Sequence, residues 1–284
     1  MKTNYHTHSE LCDGAGHLRD YADTAVSRGF TILGFSGHAP LPFPNSWTMD
    51  EEGLQDYLGE VHQLRETYRG TLEILLGLEI DYLDEEHNPA QDVYDALGLD
   101  YRIGSVHHLY SPQQEEFLQV DYTTAELNQL LEETYRNDVE AMVTDYYRMV
   151  RAMVRTGGFD IVGHLDLIKK HNAGNAYFDE GARWYRDAVR RTLEEIAESG
   201  LIMEVNTGAM ARGYTAEPYP SGWALEEAAQ LGIPVVLNAD AHKPEWLDYG
   251  YEEVKKMIRS SGYGSRMEYI DGTWTEVPDD GGSL

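Results

Sequence analysis

Seven places in the chain put histidine or carboxylate at or just beyond the end of a short, apolar, strand-like run, and together they supply nine potential metal ligands. They are His6 and His8 in Tyr5-His-Thr-His8, Asp13 just after, His38 closing Ile32-Leu-Gly-Phe-Ser-Gly-His38, and Glu79 in Ile74-Leu-Leu-Gly-Leu-Glu79. His107 in Ile103-Gly-Ser-Val-His107, His164 in Ile161-Val-Gly-His164 and the pair Asp240 and His242 complete the set. Imidazole and carboxylate without thiolate suit zinc, manganese or iron, and nine ligands exceed the roughly four to six that one ion takes. Two to three divalent ions are implied.

The runs that carry these residues alternate with amphipathic segments, the pattern of βα units around a mainly parallel sheet. Strands are predicted near 2–6, 32–37, 72–80, 101–106, 159–163, 201–206 and 233–238. A helix over 17–28 presents Leu18, Tyr21, Ala22, Ala25 and Val26 on one face before Gly29, and another over 182–198 buries Tyr185, Val189, Leu193 and Ile196 before Gly200. Seven such units predict an α/β fold, a TIM-like (βα)7 barrel with its site at the C-terminal ends of the strands. Two insertions interrupt the alternation and are expected to shape the mouth: 40–60, rich in Pro and Trp, and 108–156, helical from about 125. A single domain over 1–278 is expected, with 279–284 a disordered tail.

Composition narrows the function. The formal net charge of −28, with 50 acidic residues, argues against a basic nucleic-acid surface and so against a nuclease. Spread along the chain, that charge reads as a solvated surface. At the site, three divalent ions would outweigh the carboxylates Asp13, Glu79 and Asp240 by about three positive charges, so a small anion can still bind there. The start carries no apolar signal region and no run reaches the roughly 20 apolar residues of a membrane span. The expectation is a cytoplasmic protein with no membrane and no nucleic-acid partner. The single cysteine, Cys12, excludes an internal disulfide and a cysteine-based zinc site.

In an extended strand, side chains i and i+2 share a face, so His6 and His8 can address one ion, and Asp240 and His242 repeat the spacing after the last strand. Glu79 sits among apolar neighbours, where an ionised carboxylate is costly unless a cation meets it, which makes it the natural bridging ligand.

The motifs His6-Thr-His8, Gly34-Phe-Ser-Gly-His-Ala-Pro40, Gly77-Leu-Glu79, Gly104-Ser-Val-His107, Gly163-His-Leu-Asp166 and Asn238-Ala-Asp-Ala-His242 resemble the polymerase-and-histidinol-phosphatase (PHP) family. Within it the chain most resembles the histidinol-phosphate phosphatases, from about residue 4 to 246. The resemblance implies a distorted (βα)7 barrel holding three metals. It groups His6, His8, Glu79 and Asp240 around one ion, Glu79, His107 and His164 around a second, and Asp13, His38 and His242 around a third. Two positions depart from the family pattern: Gly37 stands where many members have an acid, and Asp13 where some have histidine.

The metals imply the mechanism. A hydroxide bridging two ions attacks the phosphate, and a cationic side chain neutralises the phosphoryl oxygens. Arg212, after the sixth strand, is the expected clamp because guanidinium grips phosphate oxygens in bidentate fashion. Asp240 or His242 could protonate the leaving alkoxide. His17, near Asp13, and Lys169, with Lys170 after the fifth strand, are further candidates for substrate contact. The implied reaction is hydrolysis of L-histidinol phosphate, a small phosphate monoester, to L-histidinol and phosphate in histidine biosynthesis. Alternatives are a phosphoesterase on another small monoester and a metal-dependent exonuclease, the latter disfavoured by the acidic balance.

Overall fold

The computed structural model describes residues 1–279. Strands run in the order β1 (Thr3–Asn4), β2 (Ile32–Phe35), β3 (Glu73–Asp81), β4 (Tyr101–Ser105), β5 (His108–Ser111), β6 (Glu116–Gln119), β7 (Ile161–Val162), β8 (Ile202–Asn206), β9 (Val235–Asn238), β10 (Ser265–Ile270) and β11 (Thr273–Pro278). Helices are α1 (Leu18–Ser27), α2 (Glu51–Thr67), α3 (Thr124–Gln129), α4 (Val139–Thr156), α5 (Arg183–Ser199), α6 (Gly208–Ala211), α7 (Gly222–Gln230) and α8 (Tyr251–Ser260).

Seven strands form one parallel sheet, ordered β1-β2-β3-β4-β7-β8-β9, which curls into a nearly closed barrel. These are the seven runs read from the sequence. The seam between β9 and β1 is stitched by asparagine side chains where a backbone ladder would otherwise run. Tyr5 N donates to Asn238 Oδ1 at 2.9 Å and Ala239 N donates to Asn4 Oδ1 at 2.8 Å. Just above, His8 N donates to the Ala241 carbonyl at 3.0 Å and Ala241 N to that of His6 at 3.1 Å. The seam thereby fixes the height of the first and last ligand segments.

The expected helix stripes are buried, except that Val26 turns outward at 36% exposure. Gly29 and Gly200 follow α1 and α5 at φ +73°, the left-handed turn that glycine adopts without a Cβ penalty. In the second insertion the sequence reading is corrected. The hairpin β5–β6 comes first, and the helical pattern from 125 is broken by a π turn at Leu130–Thr134 and by Arg136 and Asn137 at φ +54° and +64°. Asp138 then caps α4 by accepting from Ala141 N at 3.0 Å. Asparagine tolerates the left-handed region and aspartate restarts the helix, a local signal that periodicity alone overrides. The first insertion is likewise half loop and half helix, because Asp50 caps α2 through Gly53 N at 2.7 Å.

The hairpin β10–β11 was not foreseen. It seals the N-terminal end of the barrel, packing Tyr269, Met267 and Trp274 against a floor of Tyr5, Ile32, Leu75, Tyr101, Ile103, Ile161, Ile202 and Val236. Its Glu268 accepts hydrogen bonds from Thr3 Oγ1 at 2.7 Å and Tyr5 OH at 2.8 Å. Asp279, counted in the expected disordered tail, is ordered by Arg259 at 2.9 Å and by Arg266. Residues 280–284 lie outside the described residues.

Candidate metal centre

All nine candidate ligands converge at the C-terminal mouth, and Glu79 is their hub. Near the end of β3 and only 1% exposed, it meets five imidazoles. His164 Nε2 lies 2.8 Å from Oε1 and His107 Nε2 3.5 Å from it, while His6 Nε2, His38 Nδ1 and His8 Nε2 stand 3.0, 3.2 and 3.4 Å from Oε2. Ser105 Oγ donates to Oε1 at 2.6 Å. Burial alone would raise the Glu79 pKa, yet the surrounding imidazoles, His6 first, hold it well below the carboxylate range.

The other ligands close around this hub. Asp13 reaches His242 Nε2 at 3.0 Å, His8 Nδ1 at 3.5 Å and His38 Nε2 at 3.7 Å. Asp240 Oδ1 lies 3.4 Å from His8 Nε2 and 3.3 Å from His242 Nδ1. Asp240 adopts φ +46°, so the extended i, i+2 spacing assumed for Asp240 and His242 does not hold; a left-handed turn aims both at the mouth. That turn needs space beneath it. A Cβ at Gly208 would come within 2.6 Å of Asp240 Oδ2 and 2.9 Å of Arg212 Nη2.

Among the described residues, three sets of donor atoms are compact enough for an ion: His8, Asp13, His38 and His242; His6, His8 and Asp240; and His38, Glu79 and His107. They differ from the expected grouping in detail, since His8 and His38 each stand between two sets, while His164 approaches only through Glu79.

The donor set fits divalent cations on two structural grounds. Among the described residues, His8 Nε2, His38 Nδ1 and His164 Nδ1 are buried without a hydrogen-bond partner. His6 and His107 each lie between two carboxylates, and a neutral imidazole has only one N–H to give. His6 Nδ1 meets Glu204 at 2.7 Å and His107 Nδ1 meets Asp81 at 2.7 Å, which turns each remaining Nε2 toward Glu79. With the Nδ1 protons so placed, lone pair faces carboxylate, an opposition that a cation relieves. Burial opposes charge on His6, but Glu204, Glu79 and Asp240 raise its pKa to about 10. Desolvation wins at His38, pushed down to about 3.

Glu204 and Asp81 were missed in the sequence, though each carried a readable signal. Glu204 is a carboxylate inside the apolar run Ile202-Met-Glu-Val-Asn206, the same cue that flagged Glu79. Fully buried, it fixes His6 Nδ1, accepts from His164 N at 2.9 Å and takes Asn206 and Asn238 Nδ2 at 2.9 Å each. Asp81, two residues past Glu79, grips His107 and, at 2.8 Å, His108 Nδ1. Such partners orient imidazoles and set which nitrogen faces an ion.

Arg212 closes one wall, its Nη2 2.8 Å from Asp240 Oδ2 and its Nη1 2.9 Å from His242 Nδ1; its Nε is buried with no partner among the described residues. Two other candidates stand apart. His17 is exposed at the N-cap of α1, paired with Glu10. Lys169 is buried in a separate network with Asp166 at 3.1 Å, Glu217 at 3.3 Å and Ser221 Oγ at 2.5 Å. Its neighbour Lys170 reaches the cavity in its place. That cavity, about 290 Å³, is lined by Asp13, Glu79, Asp240 and Arg212 among the candidates, and by Trp47, Asp121 and Lys170 from the insertions and the β7 loop. Cys12 Sγ lies 3.6 Å from His8 Nδ1, as a packed neighbour.

Fold and site together define a class: a seven-stranded β/α barrel with a histidine and carboxylate cluster of metal-ligand type at its mouth. The chain belongs to the PHP domain family, whose model matches residues 4–208. It is 32% identical over 262 residues to the "Probable histidinol-phosphatase" of Deinococcus radiodurans, covering 90% of this chain and 92% of that one. It is equally 32% identical, over 269 residues, to the histidinol-phosphatase of Bacillus subtilis, covering 89% and 97%. Its fold matches, with a TM-score of 0.73 at 21% identity, a histidinol phosphate phosphatase from Lactococcus lactis complexed with zinc, L-histidinol and phosphate, covering 96% of this chain and 98% of that one.

Proposed function

We propose that this protein is a metal-dependent phosphatase that hydrolyses L-histidinol phosphate to L-histidinol and phosphate, a step of histidine biosynthesis carried out in the cytoplasm. The observation that carries the reading is the gathering of the candidate ligands about Glu79, seven of them, Asp13, His38, Glu79, His107, His164, Asp240 and His242, lining one cavity sized for a small molecule and His6 and His8 packed behind it. The relatives in D. radiodurans and B. subtilis, similar over almost their whole length, supply the substrate.

On this reading two to three divalent ions, zinc, manganese or iron, would be held by the compact donor sets His6, His8 and Asp240; His38, Glu79 and His107; and His8, Asp13, His38 and His242, with His164 beside Glu79. The zinc of the L. lactis enzyme makes zinc the first choice. When bound, such ions supply Lewis-acid charge to the phosphoryl oxygens and acidify water enough for it to attack near neutral pH. The chain's own residues do the rest. Glu204 and Asp81 hold His6 and His107 by Nδ1, so Nε2 of each faces the reacting region. Arg212, 18% exposed and anchored on Asp240, presents a preformed guanidinium to the phosphate without having to be ordered on binding. Asp240 and His242 stand beside it, where a proton can pass to the leaving alkoxide.

A phosphate-release assay tests the reading, with the chain reconstituted in zinc, manganese or iron and offered histidinol phosphate, other phosphate monoesters and single-stranded DNA. Histidinol phosphate should give the highest kcat/KM. A better monoester transfers the assignment to that substrate, and release of nucleotides from DNA alone refutes it.

A further inference from the structure

Among the described residues, Lys169 is the one lysine that is buried, at 3% exposure, and it does not line the metal cavity. Its ammonium sits between Asp166, itself 1% exposed, and Glu217, and donates to Ser221 Oγ. Asp166 Oδ2 also accepts from Ser221 N at 2.9 Å and Ser221 Oγ at 2.8 Å, while Glu217 Oε2 accepts from Gly222 N at 3.0 Å. Taking such charges out of water costs about as much as their attraction returns, so a buried ion pair is weak evidence for stability. What it supplies is a fixed geometry, and its place in the fold shows which one.

The network joins two loops. Asp166 and Lys169 stand in the β7 loop just past His164, whereas Glu217 and Ser221 stand at the far end of the β8 loop, which carries Arg212. That loop leaves the sheet at Asn206, runs exposed through Gly213, Tyr214 and Ala216, and returns at Tyr219. There Asn206 N donates to the Tyr219 carbonyl at 2.7 Å and Tyr219 N to that of Asn206 at 2.9 Å. The near end is held by Thr207 N on the Asn238 carbonyl at 3.0 Å and by Gly208 N on Asn206 Oδ1 at 2.8 Å. Between these anchors α6 is only 4 residues long, too short to be stable by its own hydrogen bonds. Arg212 caps it, so its guanidinium rests on Asp240 while its backbone is only as fixed as the two ends of the loop. Lys170 Nζ, 5.0 Å from the Tyr214 ring, adds a lateral contact but no hydrogen bond.

We propose that Lys169 is a positioning residue for the phosphate clamp: bound to Asp166 and Glu217, it pins the far end of the β8 loop to the β7 loop and so fixes where Arg212 stands. The proposal rests on the phosphatase reading above and adds to it a residue that touches neither metal nor substrate. A guanidinium displaced by about 1 Å keeps its charge but loses its bidentate geometry, which is how a distant contact comes to matter for binding.

The test uses the full chain and takes inorganic phosphate as the probe, its affinity for the metal-loaded protein read by calorimetry. Lys169→Met combined with Asp166→Asn removes both buried charges together and leaves no lone ion, so the melting curve and metal content should be little moved. Phosphate affinity should fall roughly fivefold to tenfold. In an Arg212→Ala background the same pair of changes should cost less than about twofold, because a displaced clamp and an absent one are the same loss. Amide hydrogen exchange over 208–221 in the metal-free chain should quicken by about tenfold. Glu217→Gln keeps the buried pair and cuts only its half-buried end; it should lose roughly threefold in phosphate affinity, again only while Arg212 is present, and it decides alone if the double change fails to fold. Phosphate affinity unchanged in these variants, a loss undiminished without Arg212, or metal lost along with phosphate overturns the proposal. So does faster exchange with phosphate held as tightly as before, which would leave the network a role in stability alone. Because the probe is phosphate, coupling to Arg212 in a chain that turns over no histidinol phosphate upholds the positioning role while the phosphatase reading fails; normal turnover without coupling removes the positioning role alone.

Discussion

The two ends of the barrel are made from the same seven strands and solve opposite problems. At the floor, Tyr5, Ile103, Ile161 and Ile202 meet the capping hairpin in an apolar seal, and its one buried carboxylate, Glu268, is satisfied by Thr3 and Tyr5. At the mouth, a few residues further along each strand, imidazoles and carboxylates are gathered around Glu79 with buried ring nitrogens left unpartnered. Polar groups concentrated and underpaired in this way destabilise the folded chain unless a ligand completes them. The difference teaches a division of labour: the floor provides stability that the mouth gives up in order to bind cations.

The largest effect should come from the centre of the mouth. Glu79→Gln preserves volume but removes the charge on which five imidazoles converge. Turnover should fall by more than about a thousandfold together with loss of bound metal, while the far-ultraviolet circular dichroism stays that of the folded barrel. Near-normal kcat with full metal content by elemental analysis would break the comparison at its strongest point.

The converse change is made at the floor. Trp274 packs edge-on against Tyr5 at 4.9 Å and Tyr269 at 5.3 Å. Trp274→Ala should lower the unfolding free energy by about 3 kcal/mol, as large-to-small floor substitutions do, while kcat/KM of the folded, metal-loaded protein stays within about twofold. Chemical denaturation and a kinetic assay on one sample decide it, and a parallel loss of metal would show that the two ends are not independent. Between the ends, Glu204→Gln should weaken metal binding about tenfold to a hundredfold with the melting curve little moved, because Glu204 acts through His6.

The same contrast explains what the sequence disclosed. The barrel and the nine candidate residues gathered at its mouth were legible because every barrel strand but β8 is a short apolar run with a histidine or carboxylate at or just beyond its end, so period and chemistry agree. His17 and Lys169 were misplaced because a cation near a strand end looks the same whether it faces the cavity or an internal acid. Only packing separates Lys169, turned toward Asp166, from Lys170, turned toward Asp121. The floor hairpin was illegible for the converse reason: Ser265-Arg-Met-Glu-Tyr-Ile270 mixes charge with apolar residues, since one carboxylate points inward to Thr3 and Tyr5. Asp121 was hidden in an insertion, where position follows the hairpin and not the strand rhythm.

Arg212 tests how far the mouth's design extends beyond the ligands. Arg212→Ala should lower kcat/KM roughly tenfold to a hundredfold, the worth of lost charge-assisted hydrogen bonds, with metals retained and Arg212→Lys intermediate. Kinetics within about twofold for the alanine variant would remove the clamp from the site and shift suspicion to Lys170.

The smallest effect is expected just outside. His17 stands a few residues from Asp13 in sequence, yet its side chain is 75% exposed and faces Glu10. The hydrogen bond that starts α1 runs from its backbone N to Asp20 Oδ2 at 3.0 Å and survives any substitution of the ring. His17→Ala should therefore leave kcat/KM within about twofold and the denaturation midpoint where it is, as surface changes do. The glutamate partner raises the His17 pKa, so whatever the pair contributes is complete below the unfolded histidine value and disappears as pH rises through the folded one. A tenfold loss of kcat/KM for this variant would move the boundary of the mouth outward to α1, and with it the line between residues that bind and residues that only hold the barrel together.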